Sequence, residues 1–139
     1  MDKTLKIAIG LGITLTGTAF ALSFQHTVTG AIADFPFPGG TGPGFVQIQQ
    51  ITLRPGDTTG WHQHDGPSWV ILERGRGAVE TEACGAATAL LAGTAFAEPA
   101  NRIHKVDNYG PGEVTINWAT VYPQGSTAIV PEPEPVCGR

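Results

Sequence analysis

Two histidines separated by one residue, His62 and His64, follow closely on a Pro55-Gly56 turn. On an extended strand side chains alternate between faces, so both imidazoles project one way while Gln63 points the other. Neutral imidazoles presented side by side are metal ligands suited to zinc, copper, nickel or iron. A third histidine, His104, lies in a second segment that runs from Gly93 through Pro99 to Asn108. The fourth, His26, stands near the start of the chain without a ligand-type neighbour and reads as a solvated side chain.

The two segments together resemble the paired signature motifs of the cupin superfamily. The first motif reads Gly, five residues, His-x-His, three or four residues, Glu, six residues, Gly, and Gly56, His62, His64 and Gly75 fall on it. The second reads Gly, five residues, Pro-x-Gly, two residues, His, three residues, Asn, and Gly93, Pro99, His104 and Asn108 fall on it. Two positions depart. Asn101 holds a glycine slot, a mild change because Asn tolerates left-handed backbone. Ser68 holds the glutamate slot, which in the family is commonly the fourth metal ligand.

The resemblance implies an all-β fold, the cupin double-stranded β-helix or jelly-roll barrel. It also implies one divalent transition metal (Zn, Fe, Cu, Ni or Mn) held by His62, His64 and His104. Three protein ligands leave a coordination position open, as catalytic or ligand-exchanging sites do. An all-histidine set resembles, in ligand type, that of cupin thiol dioxygenases. Glu98, one residue before Pro99, is the carboxylate placed to act as a fourth ligand or general base. Its alternative is a surface charge paired with Arg102. The Ser68 hydroxyl is a further lining group, whereas Trp61 and Trp69 read as packing residues. The expected function is a metal-dependent transformation of a small molecule by dioxygenase-like, isomerase or lyase chemistry. A non-enzymatic binding module for a small ligand or metal is the alternative, and a structural protein with incidental histidines is the third reading.

The elements that must position these residues are short strands between Gly- and Pro-rich turns. Phe45–Arg54, Gly60–His64, Ser68–Glu73, Ala78–Glu82, Ala89–Leu91, Ala95–Glu98, Ile103–Asn108 and Glu113–Tyr122 read as strands, and no sustained helical apolar period appears. Residues 45–123 therefore form the barrel, filled by Val46, Ile48, Val70, Leu72, Val114 and Ile116, with Trp118 as core or cavity wall. Residues 22–44, punctuated by Pro and Gly, read as an arm through which no long element runs, with Phe35 and Phe37 packed on the outside of the body. Residues 124–139 form a Pro-rich tail.

At 139 residues the chain accommodates one domain. Lys3 and Lys6 precede an apolar run ending in Ala19-Phe20-Ala21, so residues 1–21 read as a signal peptide cleaved near Ala21, directing a secreted or periplasmic protein. The run is too short and too rich in Thr and Gly for a stable membrane anchor. Its removal would change the formal charge from -4 to -5, with Lys105 as the sole remaining lysine. Such an acidic chain lacks the basic stripe that nucleic acid requires. Cys84 and Cys137, an even pair in an exported chain, are expected to form a disulfide tethering the tail; the alternative, thiol metal ligands, lacks a Cys or His at ligand spacing. A homodimer paired through the Phe45–Arg54 strand edge is a further expectation.

Overall fold

The computed structural model describes residues 23–137, so the expected signal peptide lies outside the described residues. Ten strands follow in order: β1 (Ser23–Phe37), β2 (Gly40–Leu53), β3 (His62–Gln63), β4 (Ser68–Arg74), β5 (Arg76–Thr81), β6 (Thr88–Leu91), β7 (Ala95–Glu98), β8 (His104–Asp107), β9 (Val114–Pro123) and β10 (Val130–Pro131). They form two five-stranded sheets, ordered β1-β2-β9-β4-β7 and β10-β3-β8-β5-β6. Every pairing is antiparallel. This is the expected all-β jelly-roll architecture.

Alternation along the strands decides which residues meet between the sheets. In β4, Ser68, Val70 and Leu72 are buried while Trp69, Ile71 and Glu73 face outward. In β9, Val114, Ile116, Trp118 and Thr120 point inward. Val70, Leu72, Val114, Ile116 and Trp118 join Ile51, Leu53, Leu90 and Val106 in one apolar cluster contributed by both sheets. Complete burial of a side chain such as Leu72 contributes about 1.5–3 kcal/mol.

Three expectations are corrected. Long elements do run through the expected arm: over 23–44, β1 and the start of β2 form a long hairpin. Pro36 lies on the edge strand β1 and Pro43 falls where the β1–β2 register slips between Ile32 and Phe35, while Gly39 and Gly40 supply the positive φ values of 102° and 142° at the turn. Phe35 and Phe37 stack on each other with ring centroids 5.0 Å apart, and Phe37 covers Gly44. Second, the inward face of β2 carries Gln49, Ile51 and Leu53, whereas Ile48 is half exposed and Val46 only partly buried. Third, Phe45–Arg54 offers no free edge, since β1 and β9 flank it, so self-pairing through that strand is closed. In the tail, β10 makes a two-residue pairing with β3, and a Cys84–Cys137 disulfide joins the tail to the loop after β5.

Candidate metal centre

His62 on β3 lies directly opposite His104 on β8, and His64 follows β3 by one residue beyond Gln63. The three rings converge, with centroid separations of 4.4 Å for His62–His104 and 5.0 Å for each of the other two pairs. One ligand nitrogen from each lies within 4.8 Å of the other two. Two sequence motifs 40 residues apart are thus brought to one point by a single cross-strand register pair.

Backbone carbonyls hold all three rings in one tautomeric sense. Nδ1 of His62 donates to Gly60 O at 2.8 Å, Nδ1 of His64 to Ala128 O at 2.7 Å, and Nδ1 of His104 to Arg102 O at 2.9 Å. A carbonyl only accepts, so each Nδ1 carries a proton and each ring, in its neutral form, presents an Nε2 lone pair. Such outer hydrogen bonds fix the orientation and raise the basicity of metal-ligating imidazoles. The Asn101 N–H, in a turn with φ of 59°, donates to His64 O at 2.8 Å and ties the two motif loops together. The Trp118 ring backs His64 at 4.8 Å. Gly66 is required by packing, because a Cβ there would overlap the Val121 carbonyl.

Glu98, the last residue of β7, enters from the opposite sheet. It is buried, with Oε2 3.0 Å from His64 Nε2 and Oε1 3.1 Å from His104 Nε2. The expected alternative partner, Arg102, instead pairs with Glu82 at 2.6 Å. The cross-strand partner of Glu98 on β4 is Ser68, the residue in the glutamate slot. Ser68 does not line the site with its hydroxyl; it is fully buried and hydrogen-bonds to Thr120. Asn108 is structural: Nδ2 donates to Leu53 O and Gly112 O, pinning the end of β8. Trp61 packs beneath Lys105, whose ammonium lies 5.3 Å from the ring, and Trp69 is half exposed on the outer sheet face.

The electrostatics follow from these contacts. Burial pushes the His62 imidazole down to about 4, assisted by the neighbouring His104 charge. For Glu98, burial alone would push the carboxyl up, but contacts with His104 and His64 outweigh it and hold the group at about 2. Burial likewise lowers His104, while Glu98 more than compensates and raises it. His104 Nε2 is buried and makes no hydrogen bond, despite its closeness to the carboxylate. Neutral Nε2 atoms facing a carboxylate set acceptor against acceptor, an arrangement that a shared cation satisfies. The donor set therefore fits a divalent metal ion.

Among the described residues, two cavities flank the cluster. A narrow apolar one of about 50 Å³ lies on the His62 side, against Val70, Ile116 and Trp118. A larger one of about 260 Å³ opens beside Glu98 and His104.

The family model for the cupin domain matches residues 49–121. Among solved structures, the chain is similar to a cupin superfamily protein from Desulfitobacterium hafniense, with 16% identity, 70% of this chain and 79% of that one covered, and a TM-score of 0.50. It is also similar to a conserved protein with a double-stranded β-helix domain from Klebsiella pneumoniae, with 16% identity, coverage of 78% and 87%, and a TM-score of 0.51. Recombinant oxalate oxidase in complex with glycolate gives a TM-score of 0.54 at 20% identity, over 62% of this chain and 45% of that one. No curated protein matches the sequence. With the two motifs folded into one three-histidine cluster and the family match covering more than half of its length, the chain belongs to the cupin superfamily.

Proposed function

We propose that this chain is an exported single-domain cupin metalloenzyme, in which His62, His64 and His104 hold one divalent transition metal and Glu98 completes the protein ligand set. The observation that carries the reading is the common orientation of the three imidazoles. Each spends its Nδ1 proton on a backbone carbonyl, and each directs Nε2 toward the others. A bound metal would supply Lewis acidity and, for a redox-active ion, electron transfer to a small substrate. The chain's own residues orient the ligands, neutralise part of the charge through Glu98, and exclude bulk water with Trp118 and Ile51.

The reaction class favoured is dioxygenase-like oxidation, with isomerase or lyase chemistry on the same centre as its neighbours. Export rests on the apolar N-terminal run, and the Cys84–Cys137 pairing suits an oxidising compartment. There zinc and copper compete well for imidazole ligands.

A binding module without catalysis is the second reading. It is favoured by Glu98 itself, because a carboxylate engaged with two imidazoles is not a free general base.

Elemental analysis of the mature protein, taken from its own export compartment, tests the shared core of both readings. About one equivalent of a transition metal is expected, and none in a His62→Ala, His104→Ala variant. A wild-type protein that neither contains metal nor takes up added zinc, iron or copper would overturn them. Turnover of a small substrate by the metal-loaded protein separates the enzyme from the module.

A further inference from the structure

We propose that the organic ligand of this protein is a short-chain monocarboxylate, bound in the cavity between β5, β7 and β8 with its carboxylate on Arg102 and its carbon chain running inward along Val79, Ala97 and Ile103 toward Glu98 and His104. This rests on the metal reading above and names the ligand class for it.

The two cavities beside the cluster differ in size and in wall chemistry. The one on the His62 side, about 50 Å³ and walled mostly by apolar side chains besides Thr59 and His62, has room for a few waters and is lined by no Arg or Lys. The one between β5, β7 and β8 measures about 260 Å³. At the packing density of protein interiors it accommodates about ten non-hydrogen atoms. Its inner wall is Glu98 and His104, and its sides are the apolar groups of Val79, Ala97 and Ile103. The same histidine nitrogen that lacks a hydrogen bond, Nε2 of His104, belongs to this inner wall residue.

Arg102 lines the cavity with a side chain that is 60% exposed. Its Nε is anchored on Glu82 Oε1 at 2.6 Å, and Glu82 is itself fixed by accepting the Ile103 N–H at 3.3 Å. One of five guanidinium N–H groups is used in that anchor, and the planar fork that remains matches a carboxylate. The Arg102 carbonyl also receives the His104 Nδ1 proton, so the anion-binding residue and the metal ligand are held in one rigid turn. Lys105, the other cation on this part of the chain, is engaged by Asp107 at 2.8 Å and Glu80 at 3.4 Å. One lining cation at the outer end, apolar sides and the Glu98–His104 wall at the inner end describe a singly charged, short amphiphile.

The test is calorimetric titration of the zinc-loaded mature protein with hexanoate and with hexanamide, with metal content measured on the same samples. Hexanoate should bind, and hexanamide should bind at least tenfold more weakly. Arg102→Gln should weaken hexanoate about tenfold while leaving about one equivalent of zinc, and Arg102→Lys should recover part of the loss. Val79→Phe, which fills the cavity without touching Arg102, should abolish hexanoate binding with zinc retained. Zinc-loaded protein that ignores hexanoate, or binds acid and amide alike, or is indifferent to both Arg102→Gln and Val79→Phe, would overturn the proposal. Failure to bind zinc would instead overturn the metal reading on which it stands.

Discussion

Replacing Glu98 with glutamine keeps the side-chain volume and removes one charge from a site where that charge has two close partners. In the metal-free protein the carboxyl is held at about 2 against an ordinary value of 4.5, the contacts with His104 and His64 having overcome the cost of burial. A shift of that size corresponds to about 3 kcal/mol of stability at neutral pH. The sign is that of a depressed carboxyl: the contribution is complete above pH 4.5 and disappears as pH falls through about 2. Glu98→Gln should therefore unfold at a lower urea concentration at pH 7, by about 3 kcal/mol, and the gap should close toward pH 2. Metal affinity should fall as well. Outer partners of ligating histidines are worth 10- to 100-fold in affinity, and a direct ligand more, so a loss of about 100-fold is expected in zinc titrations against a competing chelator. The decisive variant is the exchange Ser68→Glu, Glu98→Ser, which moves the carboxylate across one β4–β7 register pair and should recover affinity to within about tenfold. If Glu98→Gln bound zinc within about threefold of wild type while His104→Ala lost it, the carboxylate would have no part in the site.

The metal-free protein should be most stable near pH 6.5. His62, held down to about 4, contributes stability that is complete above 6.5 and is lost by about 3 kcal/mol as pH falls to 4, whereas raised His104 stabilises below 6.5 and that contribution is lost as pH rises through its folded value. Urea midpoints from pH 4 to 9 should trace this maximum, and a steady rise to pH 9 would contradict it. Replacing Cys84 and Cys137 with serine opens a link spanning 53 residues and should cost about 4 kcal/mol in the chain-entropy account, read as a lower urea midpoint with unchanged slope. Gly66→Ala forces a methyl group against the Val121 carbonyl between His64 and Ser68, and should cost about 3 kcal/mol or more together with metal affinity; a variant indistinguishable from wild type in both measurements would show that the turn relaxes freely.

Much of the barrel was legible because its signals are local. Ala95–Glu98 has the bounds read from the sequence, and the alternation in β4 and β9 placed Val70, Leu72, Val114 and Ile116 correctly inside. In β2 the same reasoning failed for a physical reason. Apolar residues occur on both parities, Val46 and Ile48 against Ile51 and Leu53, so periodicity alone does not choose a face. The register with β9 chooses it, pairing Gln49 with Trp118 and Ile51 with Ile116 on the inner side. The hairpin over 23–44 was hidden differently. Pro and Gly interrupt an inner strand, but Pro36 lies on the edge strand β1 and Pro43 at a slip of the β1–β2 register, positions where proline is accommodated.

Glu98 shows where a one-dimensional pattern and a three-dimensional site part company. Along the chain, the first motif lacks its carboxylate and Glu98 is an acidic residue before a proline. A local signal existed: Phe96 is the one large apolar residue of β7, and if Phe96 faces inward then Glu98, two residues on, must do so too. What parity does not reveal is the neighbour. Ser68 and Glu98 are 30 residues apart in sequence and opposite each other in the sheet, so a small side chain in the glutamate slot leaves space that the adjacent strand's longer one occupies. A carboxylate buried there without partners would be severely destabilising, and with Nε2 of His64 and His104 at 3.0 and 3.1 Å the position is made tenable by a proton on the facing imidazoles or by a shared cation. The carboxylate that the motif prescribes on β4 thus has a counterpart on β7, where Glu98 faces two of the three clustered histidines.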